Sequence, residues 1–245
     1  MANFWRIVDR VIGEADIVLM VVDARMVRAT LNAELQRKVR AAGKTLLTVI
    51  NKADLVDKAT LEPLKKRLHP CVFVSAHKFF GITMLRKLIL QYAKGESVTV
   101  GVVGYPNTGK SSVINALKGR GSASVSPTSG HTKGRQDIRV DSRIRVIDTP
   151  GVLADEDDKS SHRLSITAST TNTKEPELVA YELLRLHRVQ IVAHYGLENV
   201  QGLDEEDVLE ALAFKLHRVR KGGELDTHTA AKILLQDWQK GKIRV

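Results

Sequence analysis

A chain of 245 residues with 43% hydrophobic and 27% charged side chains suits one α/β domain of about 150 to 170 residues plus a smaller appendage. It lacks any run of 18 apolar residues and carries Arg6, Asp9, Arg10, Glu14, Asp16 and Asp23 near its start, so a signal peptide or membrane-spanning helix is not expected and a cytoplasmic location is. The single cysteine, Cys71, excludes a disulfide or cysteine–zinc framework and reads as an ordinary buried thiol, and the eight histidines show no metal-ligand spacing.

In chain order, an amphipathic helix is predicted near residues 3–12, then apolar strands near 17–22, 45–50 and 72–75, each succeeded by a helical stretch. A helix near 81–94 leads into a strand at 98–103, and strands near 136–140 and 143–147 read as a hairpin. This alternation predicts an α/β fold whose mostly parallel, six-stranded sheet is covered on both faces. After Gly151 the chain turns polar from Ala154 to Lys174, with the acidic run Asp155-Glu156-Asp157-Asp158. Three helices fit near 176–195, 204–221 and 226–240, a small all-helical C-terminal domain. In the second of them, Asp204-Glu205-Glu206-Asp207 at the start and Lys215, Arg218, Arg220 and Lys221 at the end complement the helix dipole. Gly222-Gly223 is predicted to cap that helix, and Val208, Leu209, Leu212, Leu216 and Val219 to form its core stripe.

The segment 98–117 carries the least ambiguous chemistry. Its strand runs into Gly104-Tyr105-Pro106-Asn107-Thr108-Gly109-Lys110-Ser111, with Ser112 opening the helix that follows, which is the pattern and setting of a phosphate loop. Gly104 and Gly109 let successive N–H groups face phosphates at a helix N-terminus. Lys110 is expected to reach the β- and γ-phosphates, and the Ser111 hydroxyl to ligate Mg²⁺. Asn51-Lys52-Ala53-Asp54 ends the strand at 45–50, and the Asp54 carboxylate can accept two hydrogen bonds from guanine N1–H and N2–H₂. Adenine offers no such donors and would leave that carboxylate unpaired, which argues against an ATPase. Ser75-Ala76 follows the next strand and suits the loop whose Ala76 N–H faces guanine O6. Asp148-Thr149-Pro150-Gly151 ends the last strand, with Asp148 expected on Mg²⁺ through water and the Gly151 N–H on the γ-phosphate. Thr132, in a Ser/Thr/Gly-rich loop, is the candidate switch threonine for Mg²⁺. Each short match is weak alone; their consistent cyclic order is what makes them informative.

That order is itself unusual, because the guanine motif at 51–54 precedes the phosphate loop at 104–111. Both must meet one nucleotide, so the chain reads as a circularly permuted GTPase. Mapped onto the usual GTPase sheet, the strands should lie in the spatial order 136, 143, 98, 17, 45, 72 by starting residue. The permuted nucleotide-binding domain is expected to span residues 1–160, a switch or linker 161–175, and the helical domain 176–245. Since the sheet is complete by Gly151, residues 152–175 must lead straight into the C-terminal helices. Contacts of Gly151 with the γ-phosphate would then reposition that domain.

The net charge of +10 is uneven: residues 1–175 hold 28 Lys/Arg and 17 Asp/Glu, and residues 176–245 hold 10 and 11. Cations are densest at Lys118, Arg120, Lys133, Arg135, Arg139, Arg143 and Arg145. Such a patch is either a solvated strand face or a surface for RNA. At 4% aromatic residues, single-strand base stacking is not indicated.

Over nearly its whole length the chain resembles the circularly permuted GTPases of ribosome biogenesis, the YlqF/RbgA-like group. The resemblance rests on Asp23-Ala24-Arg25 and Asn32, Asn51 to Asp54, Tyr105-Pro106-Asn107, and Gly130-His131-Thr132-Lys133. It extends to Gly222-Gly223-Glu224-Leu225-Asp226, Ala230-Ala231 and Asp237 to Lys242. It implies a nucleotide switch that hydrolyses GTP to GDP and phosphate during large-subunit assembly, as a monomer with no membrane partner. It further implies that Asn107 ligates a K⁺ ion near the β- and γ-phosphates, although an Asx turn would explain the same asparagine. Bacterial members carry a histidine upstream of the first helix that has been proposed to help hydrolysis, and Met1 to Trp5 hold none. Val152 stands where many GTPases place a water-orienting glutamine, and His131 reads as a solvent-exposed imidazole. Intrinsic turnover should therefore be slow, with the maturing large subunit supplying the missing function. The alternative is a GTP-dependent module that docks on RNA or ribosomes with negligible hydrolysis. A small-subunit, zinc-containing permuted GTPase does not fit, for want of its β-barrel and Cys/His site.

Overall fold

The computed structural model describes residues 2–93, 97–119, 136–148 and 175–245, with the side chains of 2–4, 136, 137 and 148 outside that description. The described residues fall into two compact units, one within Met1–Asp155 and one within Glu156–Val245.

The first unit is built on six strands: β1 Ile17–Asp23, β2 Thr45–Asn51, β3 Cys71–Phe73, β4 Val98–Val103, β5 Gln136–Arg139 and β6 Ile144–Asp148. They lie in the order β3-β2-β1-β4-β6-β5, the arrangement that the permuted motif order implies. All neighbours are parallel except β5 and β6. The helices are α1 Ala2–Glu14, α2 Val27–Thr30, α3 Ala33–Ala41, α4 Lys58–Arg67, α5 Ile82–Tyr92 and α6 Lys110–Lys118. β1 is buried at all seven positions, as a central parallel strand covered on both faces must be.

Alternate residues of each strand serve opposite layers. Ile17, Leu19 and Val21 join Val100, Val102, Leu85, Ile89, Val113 and Leu117 in one core under α5 and α6. On the other face α1 rests against β4 and α3, and α3 against β2. That approach is close: a Cβ on Gly101 would lie 2.6 Å from Val11 Cγ1. The two layers hold the sheet rigid and leave its strand ends as the exposed working edge.

The second unit contains α7 Pro176–Tyr195, α8 Glu205–Lys215 and α9 Thr227–Gln239, each packed on the other two. α7 is broken at His187 (φ −138°, ψ 31°), whose ring stacks on the buried Trp238 at 4.7 Å. Tyr195 donates to Asp237 at 3.0 Å, and Lys242 pairs with the same carboxylate at 2.8 Å. Burial and the Asp237 charge push the Tyr195 hydroxyl well above the usual tyrosine range.

Several expectations need correction here. α8 ends at Lys215, not near 221, because His217 turns left-handed (φ 53°) and the Arg218 N–H donates back to Ala213 O at 2.9 Å. Gly222-Gly223 therefore does not cap it; the glycines form the tip of a small hairpin closed by the Val219–Leu225 bridge. Arg218, Arg220 and Lys221 lie beyond the helix, and Val219 is 54% exposed instead of joining the stripe. Cys71, expected buried, opens β3 half-buried, and burial raises its thiol pKa.

Candidate functional site

The carboxyl ends of β1, β2, β4 and β6 meet along one edge of the sheet, with Asp23 in register with Asn51 and Val102 with Asp148. Open α/β sheets bind ligands at this edge, where strand ends and helix N-termini point outward.

Residues 104–109 curl between β4 and the start of α6. Gly104 takes φ 146°, and a Cβ there would lie 2.4 Å from Val21 O. Gly109 takes φ 93°, and its Cβ would meet Asn51 Nδ2 at 2.2 Å. Neither position accepts a side chain, so the loop is a cradle fitted to the ends of β1 and β2. Thr108 is buried and its hydroxyl donates to Tyr105 O at 2.9 Å. Lys110, 7% exposed, donates from Nζ to Gly104 O and Tyr105 O, both at 2.8 Å, so its ammonium lies in the cradle's mouth. Ser111 and Ser112 are exposed in the first turn of α6; Tyr105 and Pro106 are half-buried and Asn107 exposed.

The guanine motif, more than 50 residues earlier in the chain, is tied to this loop twice. The buried Asn51 amide donates to Thr108 O at 2.9 Å, and Lys52 Nζ donates to Asn107 O at 2.8 Å. Asn51 Oδ1 also accepts from the Ala76 N–H at 3.2 Å, and Ala53 N–H donates to Val74 O at 3.0 Å. The segments 51–54, 75–76 and 104–109 thus form one hydrogen-bonded body. Asp54 stands at its margin, paired with Lys78 Nζ at 3.1 Å. Burial raises its pKa, but hydrogen bonds from Ser75 and Lys78 outweigh that and hold the carboxyl below its ordinary value. It is ionised at neutral pH. The Ala76 N–H, which the sequence assigns to guanine O6, is engaged with Asn51.

The sequence carries no role for Asp23, Arg25 and Asn32 beyond a family likeness, yet all three belong here. Asp23 is 3% exposed and accepts from the Arg25 backbone, Arg25 Nε and Nη2, and Lys52 Nζ, at 2.8–3.1 Å. Burial raises its pKa, but Arg25 and Lys52 overcome that and hold the group far below the carboxylate range. Lys52 is shifted downward, by burial first, against the pull of Asp23. Asn32 caps α3 through the Leu35 N–H at 2.8 Å and donates to the Tyr105 hydroxyl at 3.1 Å. A carboxylate closing a run of six buried apolar residues, with arginine two positions on, was the available signal.

The backbone of Asp148 ends β6 beside Val102. Thr132, Thr149, Pro150, Gly151, Val152, His131 and residues 161–174 of the linker lie outside the described residues. Among the described residues no group of three or more His, Cys, Asp or Glu could hold a metal by itself. The donor at hand among the described side chains is the helix-start hydroxyl of Ser111. Mg²⁺ takes as few as one or two protein ligands when phosphates and water complete its shell, so this hydroxyl fits that ion.

Strand order, cradle and inverted motifs define a phosphate-loop nucleotide-binding domain of permuted connectivity. Residues 99–212 match the family described as 50S ribosome-binding GTPase. An uncharacterized GTP-binding protein of Methanocaldococcus jannaschii is 40% identical over 97% of this chain and 65% of that protein. Nuclear/nucleolar GTPase 2 of Oryza sativa subsp. indica is 34% identical over 98% of this chain and 47% of that protein. The chain thus spans less than two thirds of the length of these curated relatives. GNP-bound YlqF from T. maritima shares the fold, with a TM-score of 0.64 at 22% identity over 97% of this chain and 94% of that one. Residues 99–212 thus carry the likeness to that GTPase family, and the chain shares the fold of YlqF.

Asn51→Ala leaves the buried Thr108 carbonyl and Ala76 N–H without that partner. Chemical denaturation of the nucleotide-free protein should show a loss of about 2 to 4 kcal/mol, and a loss under about 0.5 kcal/mol would contradict the tether.

Proposed function

We propose that this chain binds GTP with Mg²⁺ at the carboxyl edge of the sheet, hydrolyses it slowly on its own, and serves as a nucleotide switch in large ribosomal subunit assembly. The observation that carries this reading is the double tether from Asn51 and Lys52 to Thr108 and Asn107. It sets the Asp54 carboxylate at a fixed span from the loop that would hold the phosphates.

In this reading Asp54 selects guanine, with Ser75 and Ala76 closing over O6. Binding requires the Ala76 N–H to turn from Asn51 Oδ1, and at 3.2 Å that bond is long enough to be exchanged for one to the base. Backbone N–H groups of residues 107–112 and the Lys110 ammonium take the phosphates, Lys110 giving up its bonds to Gly104 O and Tyr105 O for phosphate oxygens. Bound Mg²⁺ neutralises charge on the β- and γ-phosphates. Ser111, Thr132 and, through water, Asp148 would hold it, and Asn107 would offer a K⁺ ion a side-chain oxygen. Gly151 would sense the γ-phosphate, with Thr149 and Pro150 shaping its loop. The change would pass through residues 161–175 to the helical domain at 176–245, the G domain being 1–160.

The large-subunit partner is supported by the family description, 50S ribosome-binding GTPase, and by the basic hairpin. There Arg139 and Arg145 are exposed cross-strand partners with exposed Arg143 nearby. Like charges placed opposite each other repel, a cost that an RNA phosphate backbone would relieve. Among the described residues no helix is long and apolar enough to cross a membrane. We assign the chain to the cytoplasm as a monomer; nuclear or nucleolar names belong to the eukaryotic relatives.

Asp54→Asn should move nucleotide preference from guanine to xanthine by about tenfold or more, since one buried charged hydrogen bond is worth roughly 1.5–3 kcal/mol. Unchanged preference in competition binding would refute the assigned base pocket. Steady-state GTP turnover should be slow, faster in KCl than in NaCl, and raised by purified large subunits. Equal rates in both salts would remove the K⁺ site. Saturable GTP-dependent subunit binding with no turnover in any condition would favour the non-hydrolysing docking module, which Val152 makes the second reading.

A further inference from the structure

We infer that Arg25 is a positioning residue for the nucleotide site, holding Lys52 against the phosphate loop through Asp23. The inference rests on the function proposed above and assigns control of nucleotide release to a residue outside the loops expected to touch it.

The geometry is a relay of three charges and a carbonyl. Arg25, with a side chain 1% exposed, grips Asp23 with Nε on Oδ1 at 3.1 Å and Nη2 on Oδ2 at 2.8 Å. Asp23 Oδ2 also takes Lys52 Nζ at 2.9 Å, and the same Nζ donates to Asn107 O at 2.8 Å. The fork of a guanidinium fixes a carboxylate in position and plane, which a single ammonium does not. A fixed carboxylate then fixes Lys52, and Lys52 fixes the tip of the phosphate loop.

Two features separate this from an ordinary buried ion pair. Lys52 sits at φ 61°, left-handed backbone that a lysine rarely takes, and Asn107 at φ 57°, where an asparagine is tolerated. Both are ends of the one bond that Asp23 orients, so the relay maintains an unusual conformation of Lys52 at the site rather than a relaxed core. The Asp23 N–H is itself held by the Thr30 hydroxyl at 3.1 Å, and Thr30 by Met26 O at 2.9 Å, which anchors the relay to the turn carrying Arg25. Moreover, buried pairs are often no more stabilising than apolar residues of the same volume, so their value here is placement.

Removing Arg25 leaves Lys52 to balance Asp23, which draws Nζ toward the carboxylate and away from Asn107 O. The loop tip loosens, and bound nucleotide should escape faster. Stopped-flow dissociation of a fluorescent methylanthraniloyl-GDP from the full chain, paired with thermal midpoints, reads this directly. Arg25→Met should release the nucleotide about tenfold or more faster than wild type, the factor matching loss of one charged hydrogen bond. Arg25→Lys, which keeps the charge but not the fork, should fall between them. A wild-type release rate in folded Arg25→Met overturns the inference even if its melting point drops, since that is purely structural support. If Arg25→Met does not fold, Arg25→Lys decides, and a wild-type rate there overturns it. Should the wild-type chain hold no guanine nucleotide, the proposed function falls and this inference with it. Guanine binding by wild type, with the xanthine shift in Asp54→Asn, would leave that function standing when the Arg25 variants alone behave as wild type.

Discussion

The fold depends on one contact made at a distance in sequence: the end of β2 is hydrogen-bonded to the loop after β4. Asn51 to Thr108 and Lys52 to Asn107 are two bonds, each worth about 0.5 to 3 kcal/mol, the larger figure for the charged donor. Their importance is geometric. A site for a nucleotide needs its base end and its phosphate end at a set separation, and only a direct bond between the two loops sets it independently of everything else. Gly109 shows how closely they fit, because a single added carbon there would strike the Asn51 amide.

That dependence explains why the connectivity can be cut and rejoined. The strands β3-β2-β1-β4-β6-β5 hold the loops side by side whatever the order in which the chain visits them. Loop-closure entropy grows only slowly with the length of chain between paired segments, so moving the break is cheap once the spatial contacts are kept. What the permutation alters is the chain's exit. In the sequence, β6 is followed not by the strands of the guanine motif but by the stretch that precedes α7.

Much of this was legible in the sequence, and for identifiable reasons. The phosphate loop shows because only glycine tolerates the backbone at positions 104 and 109, so the residue type records the geometry. The strand order follows from the motif order, since both motifs must reach the same edge. Local reading failed where tertiary contacts decide. Nothing around Leu216 announces that α8 stops there, because a histidine rather than a glycine takes the left-handed turn and the downstream pair Gly222-Gly223 draws attention away. Val219 fits the stripe by spacing and is exposed because the helix no longer reaches it. The Asp23–Arg25–Lys52 relay was hidden for another reason: it joins residues at the ends of two neighbouring strands, and a one-dimensional pattern contains no register. The Asn32 bond to Tyr105 escaped in the same way, across 73 positions of chain.

Segments 51–54, 75–76 and 104–112 are proposed to form a single guanine-nucleotide pocket. Its most direct measurement is a crystal structure with GDP and Mg²⁺. The guanine N1–H and N2–H₂ should lie within hydrogen-bonding distance of the Asp54 carboxylate, and the β-phosphate in the cradle above Lys110. A base bound away from Asp54, or phosphates outside the 104–109 loop, would contradict it.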